Sequence, residues 1–356
     1  MSFNTAKKVI DSELARFPSE AVIKIEMIGG EPFMPKAFEL FERVVDYIDY
    51  EYPDRDITYI VTTNGTLVHG RVQEFLNKNS SKITLSLSLD GRKRSNDMNR
   101  LMKKGGGSFD YIDIPFFQKY PVKVNAKMTI SPLTLKYLAD DIKYVSEELK
   151  LLPTATLASG IPWEKDFIAQ ELIEQLGILV DYYSENVDAE LPLMLLADLE
   201  GVFAESDPHC KPCGAGEVTR AFNYDCIDEN GDIIWYPCQG LAPITLGDEA
   251  AKQFKNCTFA NFTLKEPCAS CKFRVLCHAC QATNFGTTGD VESQSKVMCL
   301  MNRLCALAAS KIHYNRMAAK GFDDISIEDQ VTLKAISIIQ SEIFDDTKHE
   351  FLWKIS

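Results

Sequence analysis

Cysteine is absent from the first 209 residues, although the chain of 356 residues has eleven in all. Long apolar runs are also missing, since none approaches the roughly 18 residues of a membrane-spanning helix. The N-terminal segment lacks the basic-then-apolar pattern of a secretion signal. We therefore expect a cytoplasmic protein with no membrane partner, and clustered thiols in that reducing compartment usually indicate metal binding rather than disulfides.

Positive charge is scarce as well. The chain has 38 Lys and Arg residues against 51 Asp and Glu residues, which gives a formal net charge of −13. Because proteins neutralise nucleic-acid phosphates with Lys and Arg, this balance argues against a nucleic-acid partner. The remaining composition, 46% hydrophobic and 25% charged, is typical of a globular protein.

The cysteines follow residue 209 and include two close CxxC pairs, Cys268 with Cys271 and Cys277 with Cys280. Four thiolates brought so close together must bind metal, form disulfides or repel one another. The pattern therefore predicts metal or iron–sulfur ligation. Zinc is the main alternative, because a site of four sulfurs suits either metal.

Strand and helix patterns alternate through the first half of the chain. Apolar segments typical of strands occupy residues 22–28, 57–63, 83–89 and 122–130, and apolar residues at helical spacing lie between them. This alternation predicts an α/β fold, with a parallel sheet covered by helices as an open sheet or part of a barrel.

Polar turns containing glycine end three of these strands: Gly29-Gly30-Glu31-Pro32, Thr63-Asn64-Gly65 and Ser88-Leu89-Asp90-Gly91. Ligands of parallel α/β folds bind at the carboxyl ends of strands, so we expect the three turns to meet at one rim. Glu31 could accept from an ammonium group and Arg100 could pair with a carboxylate. Such a rim suits an amino acid attached to a ribose, although each turn alone could be a simple chain reversal.

These turns, together with the segment from Asn96 to Arg100 and with Gly107-Ser108-Phe109, resemble the radical S-adenosylmethionine enzymes. The cysteine-rich region resembles the SPASM extension of peptide and protein maturases. The resemblance covers residues 1 to about 316. It implies a partial (β/α)6 barrel missing its first strand (1–200), a SPASM domain (201–316) and a C-terminal helical tail (317–356).

The resemblance also implies site residues. The Gly-Gly-Glu-Pro turn would bind the methionine amino group, the Ser-x-Asp strand end would face the ribose, and the arginine would hold the methionine carboxylate. By motif position, the S-adenosylmethionine site consists of Gly29, Gly30, Glu31, Pro32, Asn64, Ser88, Asp90 and Arg100.

Two auxiliary [4Fe-4S] clusters are implied by the same resemblance. One would use Cys213, Cys238 and Cys280, with Cys210 or Cys226 as a further ligand. The other would use Cys268, Cys271, Cys277 and Cys299. Two spacings depart from the family pattern: six residues instead of four separate Gly231 from Cys238, and two instead of three separate Cys277 from Cys280. Cys257 and Cys305 match no position of the pattern and are expected to be buried apolar residues.

The departure of greatest consequence is the missing CxxxCxxC motif, which in the family holds the cluster that cleaves S-adenosylmethionine. No cysteine precedes Cys210. The sequence begins at the helix that would follow the motif, which favours a truncated chain over a degenerate relative that only binds a peptide. In either case we expect no radical chemistry from these residues alone. The radical-generating [4Fe-4S] cluster is expected only where an upstream segment supplies the CxxxCxxC motif.

For the intact protein, the resemblance implies a radical S-adenosylmethionine maturase that modifies a ribosomally made peptide or protein and is reduced by a flavodoxin or ferredoxin. A thioether or carbon–carbon crosslink is the first hypothesis. Oxidation of Ser or Cys in a sulfatase-type target is the second, and a non-catalytic peptide-binding protein is the third.

Three further features have simple structural interpretations. Trp163 could stack on a substrate, but a core position is the more common use of such an aromatic residue. The Asp-Glu-Asn-Gly sequence from Asp228 to Gly231 predicts a hairpin turn rather than a general base. Ser326 is expected to cap a C-terminal helix whose apolar stripe packs on the protein.

Overall fold

The computed structural model describes residues 1–158, 161, 163, 165–196, 199–203, 214–259, 263–277, 280–322 and 325–343. The chain divides into two compact units. The first consists of Met1–Met128, Val145–Leu152 and Cys213–Ala260, and the second of Thr129–Tyr144, Pro153–Pro212 and Asn261–Ser356. The domain boundaries expected at residues 200 and 316 stay predictions.

A five-stranded sheet with strands in chain order organises the fold. Its strands are β1 (Ile23–Met27), β2 (Ile57–Thr63), β3 (Ile83–Ser88), β4 (Asn125–Ile130) and β5 (Leu152–Leu157). The pairs from β1 to β4 are parallel, with Ile25 opposite Tyr59 and Val61 opposite Leu85. The predicted α/β class is confirmed, and β1 to β4 lie within the predicted segments.

Strand β5 was not expected from the sequence. It carries Pro153 and forms an end of the sheet. Proline cannot donate a ladder hydrogen bond and is therefore restricted largely to edge strands, which weakens the sequence signal of such a strand.

Helices α1 to α5 connect and cover the first strands: α1 (Phe3–Leu14), α2 (Pro35–Glu51), α3 (Arg71–Lys78), α4 (Lys93–Asn99) and α5 (Ile114–Lys119). The later helices are α6 (Leu138–Lys143), α7 (Lys165–Glu185), α8 (Pro243–Leu246), α9 (Asp248–Ala251), α10 (Gln281–Thr288), α11 (Lys296–Lys320) and α12 (Ile327–Ile343). Within the described ranges, no helix is long and apolar enough to cross a bilayer.

The core of the first unit is centred on Phe41 of α2, whose side chain is fully buried. Its ring lies edge-on to Tyr59 of β2 at 5.7 Å and to Phe75 of α3 at 5.3 Å between centroids. Edge-to-face pairs add to the free energy that burial itself contributes. Phe41 therefore fixes two helices on the sheet at the strands that carry the predicted rim.

Replacing Phe41 with alanine should lower the free energy of unfolding by about 3–5 kcal/mol, because a buried ring leaves a cavity. Denaturant unfolding followed by circular dichroism measures the change. Tyr50→Ala on the same helix is the control, since Tyr50 is 82% exposed and its removal should change little. Equal effects of the two substitutions would contradict this description of the core.

The second unit is helical around α7, α11 and α12. Phe273, Ala309, Ile336 and Ile339 are buried in one apolar cluster. Ser326 Oγ accepts from the backbone N–H of Asp329 at 3.0 Å, so it caps α12 as predicted.

Candidate functional site

Glu31 joins two of the three predicted turns in the first unit. Its Oε1 accepts from Thr63 Oγ1 at 2.7 Å and from the backbone N–H of Phe33 at 3.2 Å, and its Oε2 accepts from the backbone N–H of Asn64 at 2.8 Å. Thr63 is the last residue of β2 and Asn64 follows it, while Glu31 lies in the turn after β1. The carboxylate therefore links the ends of two adjacent parallel strands with charge-assisted hydrogen bonds.

The glycines of these turns have different structural roles. Gly65 has φ +78°, and a Cβ there would lie 2.7 Å from Leu87 Cδ1 and 3.0 Å from Ile112 Cγ2. Gly29 has φ +119°, and its Cβ would lie 3.2 Å from Ile244 Cδ1. Gly30 has open space where a Cβ would be. Gly65 and Gly29 are therefore needed for the backbone, whereas Gly30 leaves room for a ligand beside the main chain.

Gly65→Ala should destabilise the first unit by at least about 2 kcal/mol, because alanine at positive φ is strained and its methyl group overlaps Leu87. Gly30→Ala, in the turn after β1, is the matched control. Its Cβ would have no close neighbour, so the free energy of unfolding should hardly change. Thermal unfolding of both variants measures the difference. Similar melting temperatures for the two would argue against the close approach at Gly65.

Asp90 and Arg100 form an ion pair at the end of β3. Asp90 is 1% exposed, and its Oδ1 accepts from an Arg100 guanidinium N–H at 2.7 Å. Its Oδ2 accepts from the Asn99 side chain at 3.1 Å, and Arg100 also donates to the Lys127 carbonyl at 3.4 Å. A buried carboxylate is costly without a paired cation. In the structure, Asp90 therefore orients Arg100.

The segment from Asn96 to Phe109 fixes this ion pair. The Asn96 amide donates to Ser108 Oγ at 3.1 Å, and Asp97 accepts from the backbone N–H of Phe109 at 2.9 Å. A Cβ on Gly107 would lie 1.8 Å from the Asp97 carboxyl carbon, which explains the glycine before Ser108. The sequence motif in this segment is thus a positioning device for α4 and Arg100.

Four of the predicted ligand cysteines interact in the second unit. Burial, followed by the nearby Cys299 and Cys271 thiols, raises the pKa of Cys268 to about 11. Burial and the same group of neighbours raise the pKa of Cys277 to about 12. Because the Cys299 and Cys271 thiols disfavour ionisation of both Cys268 and Cys277, the four sulfurs lie close to one another in the fold.

Two side chains of α11 donate to these sulfurs. The Asn302 amide lies 3.2 Å from Cys277 Sγ, and an Arg303 guanidinium nitrogen lies 3.4 Å from Cys271 Sγ. Arg303 is 2% exposed and its guanidinium lies 5.1 Å from the centre of the Phe273 ring. Cys299, Asn302 and Arg303 are spaced by three and four residues, which places them on one face of the helix.

Zinc and an iron–sulfur cluster both suit four thiols, and they differ in how far apart they hold the sulfurs. Across the described part of the chain, no three His, Cys, Asp or Glu side chains are placed to hold one metal ion. A zinc ion with bonds of about 2.3 Å would draw its four sulfurs within about 4 Å of one another. An iron–sulfur cluster separates its thiolates further, because irons and sulfides lie between them. A buried arginine beside the thiolates also offsets their negative charge.

The other cysteines are less informative. Cys210 and Cys213 lie outside the described residues, so the ligands of the first predicted cluster stay a prediction. Cys226 is 1% exposed, Cys238 is half-buried and Cys280 is exposed. Cys305 is buried on α11, as expected for an apolar residue, whereas Cys257 is only half-buried, so the same expectation is wrong for Cys257. The nine described cysteines are all free thiols.

The Asp-Glu-Asn-Gly turn has the predicted structural role. Asp228 Oδ1 accepts from the backbone N–H of Asn230 at 3.0 Å and of Asp232 at 2.8 Å, and an antiparallel bridge pairs Ile227 with Ile233. Sequence reasoning missed Asn302 and Arg303. Their spacing from Cys299 was the signal that could have identified them.

The comparisons with known proteins confirm the predicted resemblance: the chain is similar in sequence to a sulfatase-maturating enzyme, and its fold is similar to that of a solved enzyme structure with bound AdoMet. It is 28% identical over 295 residues to the cysteine-type anaerobic sulfatase-maturating enzyme of Clostridium perfringens strain 13, over 76% of this chain and 77% of that protein. It is also 32% identical over 147 residues to an uncharacterized protein of Methanocaldococcus jannaschii, over 41% of this chain and 49% of that protein. No protein-family model matches.

A solved structure shares this fold. The structure of anSMEcpe with bound AdoMet matches 90% of this chain and 86% of its own, with a TM-score of 0.62 and 19% identity. The same enzyme with bound AdoMet and Cp18Cys peptide gives a TM-score of 0.59, with 20% identity over 85% of this chain and 87% of its own. The chain spans about half the length of its M. jannaschii relative and about three quarters of the C. perfringens enzyme.

Proposed function

We propose that this chain belongs to a maturase that modifies a peptide or protein by radical chemistry on S-adenosylmethionine. The observation that carries the proposal is the occurrence, in one chain, of the rim held by Glu31 and the four interacting thiols beside Arg303. A relative named as a sulfatase-maturating enzyme and a similar structure with a bound peptide support it.

The rim residues suit S-adenosylmethionine by their chemistry. Glu31 and the open backbone at Gly30 offer acceptors for the methionine ammonium group, and Arg100, oriented by Asp90, is a donor for the carboxylate. Asn64 and Ser88 are candidates for hydroxyl contacts, and Pro32 ends the first turn. Bound S-adenosylmethionine would supply the 5′-deoxyadenosyl group that abstracts hydrogen from the substrate.

The thiol site suits an auxiliary [4Fe-4S] cluster held by Cys268, Cys271, Cys277 and Cys299. Such a cluster would accept an electron or contact the substrate. Arg303 and Asn302 would donate to the ligand sulfurs, which raises the reduction potential of a cluster. A second auxiliary cluster, with Cys213, Cys238 and Cys280, and a flavodoxin or ferredoxin as reductant belong to the same proposal.

The bond that is formed has two candidates. A thioether or carbon–carbon crosslink follows from the maturase class. Oxidation of a Ser or Cys residue in a sulfatase-type target is comparably supported, because the relative matched over 295 residues carries that name. Oxidation of Ser to an aldehyde and formation of one crosslink both remove two hydrogens and so change the mass equally, whereas oxidation of Cys also takes oxygen from water and releases sulfide. Reaction with a hydrazine separates the two candidates, because only the aldehyde reacts.

Glu31→Gln should weaken S-adenosylmethionine binding by about tenfold, because it removes the negative charge facing the ammonium group and disturbs the bonds to Thr63 and Asn64. Equilibrium dialysis with labelled S-adenosylmethionine measures it. Glu39→Gln, an exposed position on α2, is the matched control for loss of one charge. Equal affinities of both variants and the parent would remove Glu31 from the site.

Anaerobic reconstitution with iron and sulfide separates the enzyme from a non-catalytic binding protein. We expect about eight irons per chain, four for each auxiliary cluster, and no 5′-deoxyadenosine from added S-adenosylmethionine, since residues 1–356 contain no CxxxCxxC. Supplying that motif upstream of residue 1 should restore 5′-deoxyadenosine formation. Its formation by the present chain would contradict the expectation, and its absence in the extended chain would favour a peptide-binding protein.

A further inference from the structure

A cavity of about 320 Å³ opens within the second unit, and its lining contains none of the residues assigned to a ligand above. Its lining includes Ile161, Trp163, Val297 and Met298, and Gly286 and Thr287 form part of its edge. None of the lining residues that the structure describes is charged. A neutral ligand therefore enters without desolvating an ion.

The polar groups around the cavity already have partners in the protein. The Trp163 indole N–H donates to the Ala158 carbonyl at 2.9 Å, and the Thr287 hydroxyl donates to the Thr283 carbonyl at 2.7 Å. Ser295 Oγ accepts from the backbone N–H of Met298 at 3.5 Å as the cap of α11. The surface of the cavity is mainly apolar, since it consists of the indole, isoleucine, valine and methionine side chains. Such a surface favours an apolar ligand.

The cavity lies at the carboxyl end of strand β5. Ala158 directly follows Leu157, the last residue of β5, and ligands of parallel α/β folds bind at this end of the strands. Val297 and Met298 directly precede Cys299, and α10, which carries Gly286, begins directly after Cys280. The cavity is thus built on the two segments that carry candidate cluster ligands.

We propose that this cavity binds an aliphatic or aromatic side chain of the peptide substrate. The inference rests on the proposed function for the identity of the ligand. The volume is at the small end of ligand pockets, which suits one side chain rather than a whole cofactor. Gly286 and Thr287 are exposed and Ile161 is 38% exposed, so a longer chain can continue outward from the mouth.

Gly286 allows the cavity to be filled without straining the backbone. It lies inside α10 and has no heavy atom within 4 Å of the position of a Cβ. A valine side chain there would occupy the space at the edge of the cavity. Gly177 of α7 also has open space at its Cβ and does not line the cavity, so Gly177→Val is a matched control.

The test uses the full chain with Trp235→Phe and Trp353→Phe, which leaves Trp163 as the sole tryptophan. N-acetyl-L-leucinamide and the polar N-acetyl-L-glutamamide are titrated while the emission of Trp163 is recorded. We expect the leucine probe to give a saturable blue shift, with the glutamine probe about tenfold weaker. Gly286→Val should weaken the leucine probe by about tenfold and Gly177→Val should leave it unchanged.

Equal binding of the two probes, or an unchanged affinity in Gly286→Val, would overturn the proposal. If valine destabilises α10, Gly286→Ala is used instead, because alanine favours the helix. Its smaller side chain should weaken binding of the leucine probe less than valine does. The assay needs neither S-adenosylmethionine nor a cluster. With a CxxxCxxC supplied upstream, peptide modification without probe binding at Trp163 would reject the cavity alone, and probe binding without peptide modification would reject the proposed function alone.

Discussion

The candidate rim depends on the carboxylate of Glu31. Parallel pairing brings the ends of β1 and β2 to the same edge of the sheet, and Glu31 then fixes their turns by accepting from Thr63 and Asn64. The bonds hold the backbone at Gly30 in place while the space beside it stays open. A site made of main-chain groups needs this support, because turns containing glycine have little stiffness of their own.

In the second unit, the corresponding constraint is electrostatic. Four half-buried thiols lie close to one another, where Cys299 and Cys271 oppose the ionisation of Cys268 and Cys277, and the buried Arg303 donates to Cys271. Because the raised pKa values keep Cys268 and Cys277 protonated near neutral pH, a metal centre would displace their protons, and its binding would also stabilise the fold that gathers the sulfurs. The long helix α11 supplies Cys299, Asn302 and Arg303 from one face.

Strong local patterns made much of the fold predictable. Strand β2 has the predicted ends, because its segment is directly followed by an Asn-Gly turn, and its seven residues alternate in burial in the structure. Strand β5 was missed because Pro153 and a position at the sheet end weaken its signal. The sequence also suggested Asp90 as a hydroxyl partner, whereas burial and Arg100 engage its carboxylate inside the protein. The pairing of Asp90 with Arg100 and the hydrogen bond from Arg303 to Cys271 both depend on tertiary contacts. Local sequence patterns do not encode such contacts.

The central claim is that Cys268, Cys271, Cys277 and Cys299 hold an iron–sulfur cluster. Native mass spectrometry of the chain purified without oxygen tests it most directly. The account predicts an added mass of two clusters, of which one, with four irons and four sulfides, is lost in Cys299→Ala, while both are retained in Cys257→Ala, a cysteine outside the ligand pattern. A chain that carries only zinc, or a cluster mass unaffected by Cys299→Ala, would contradict it.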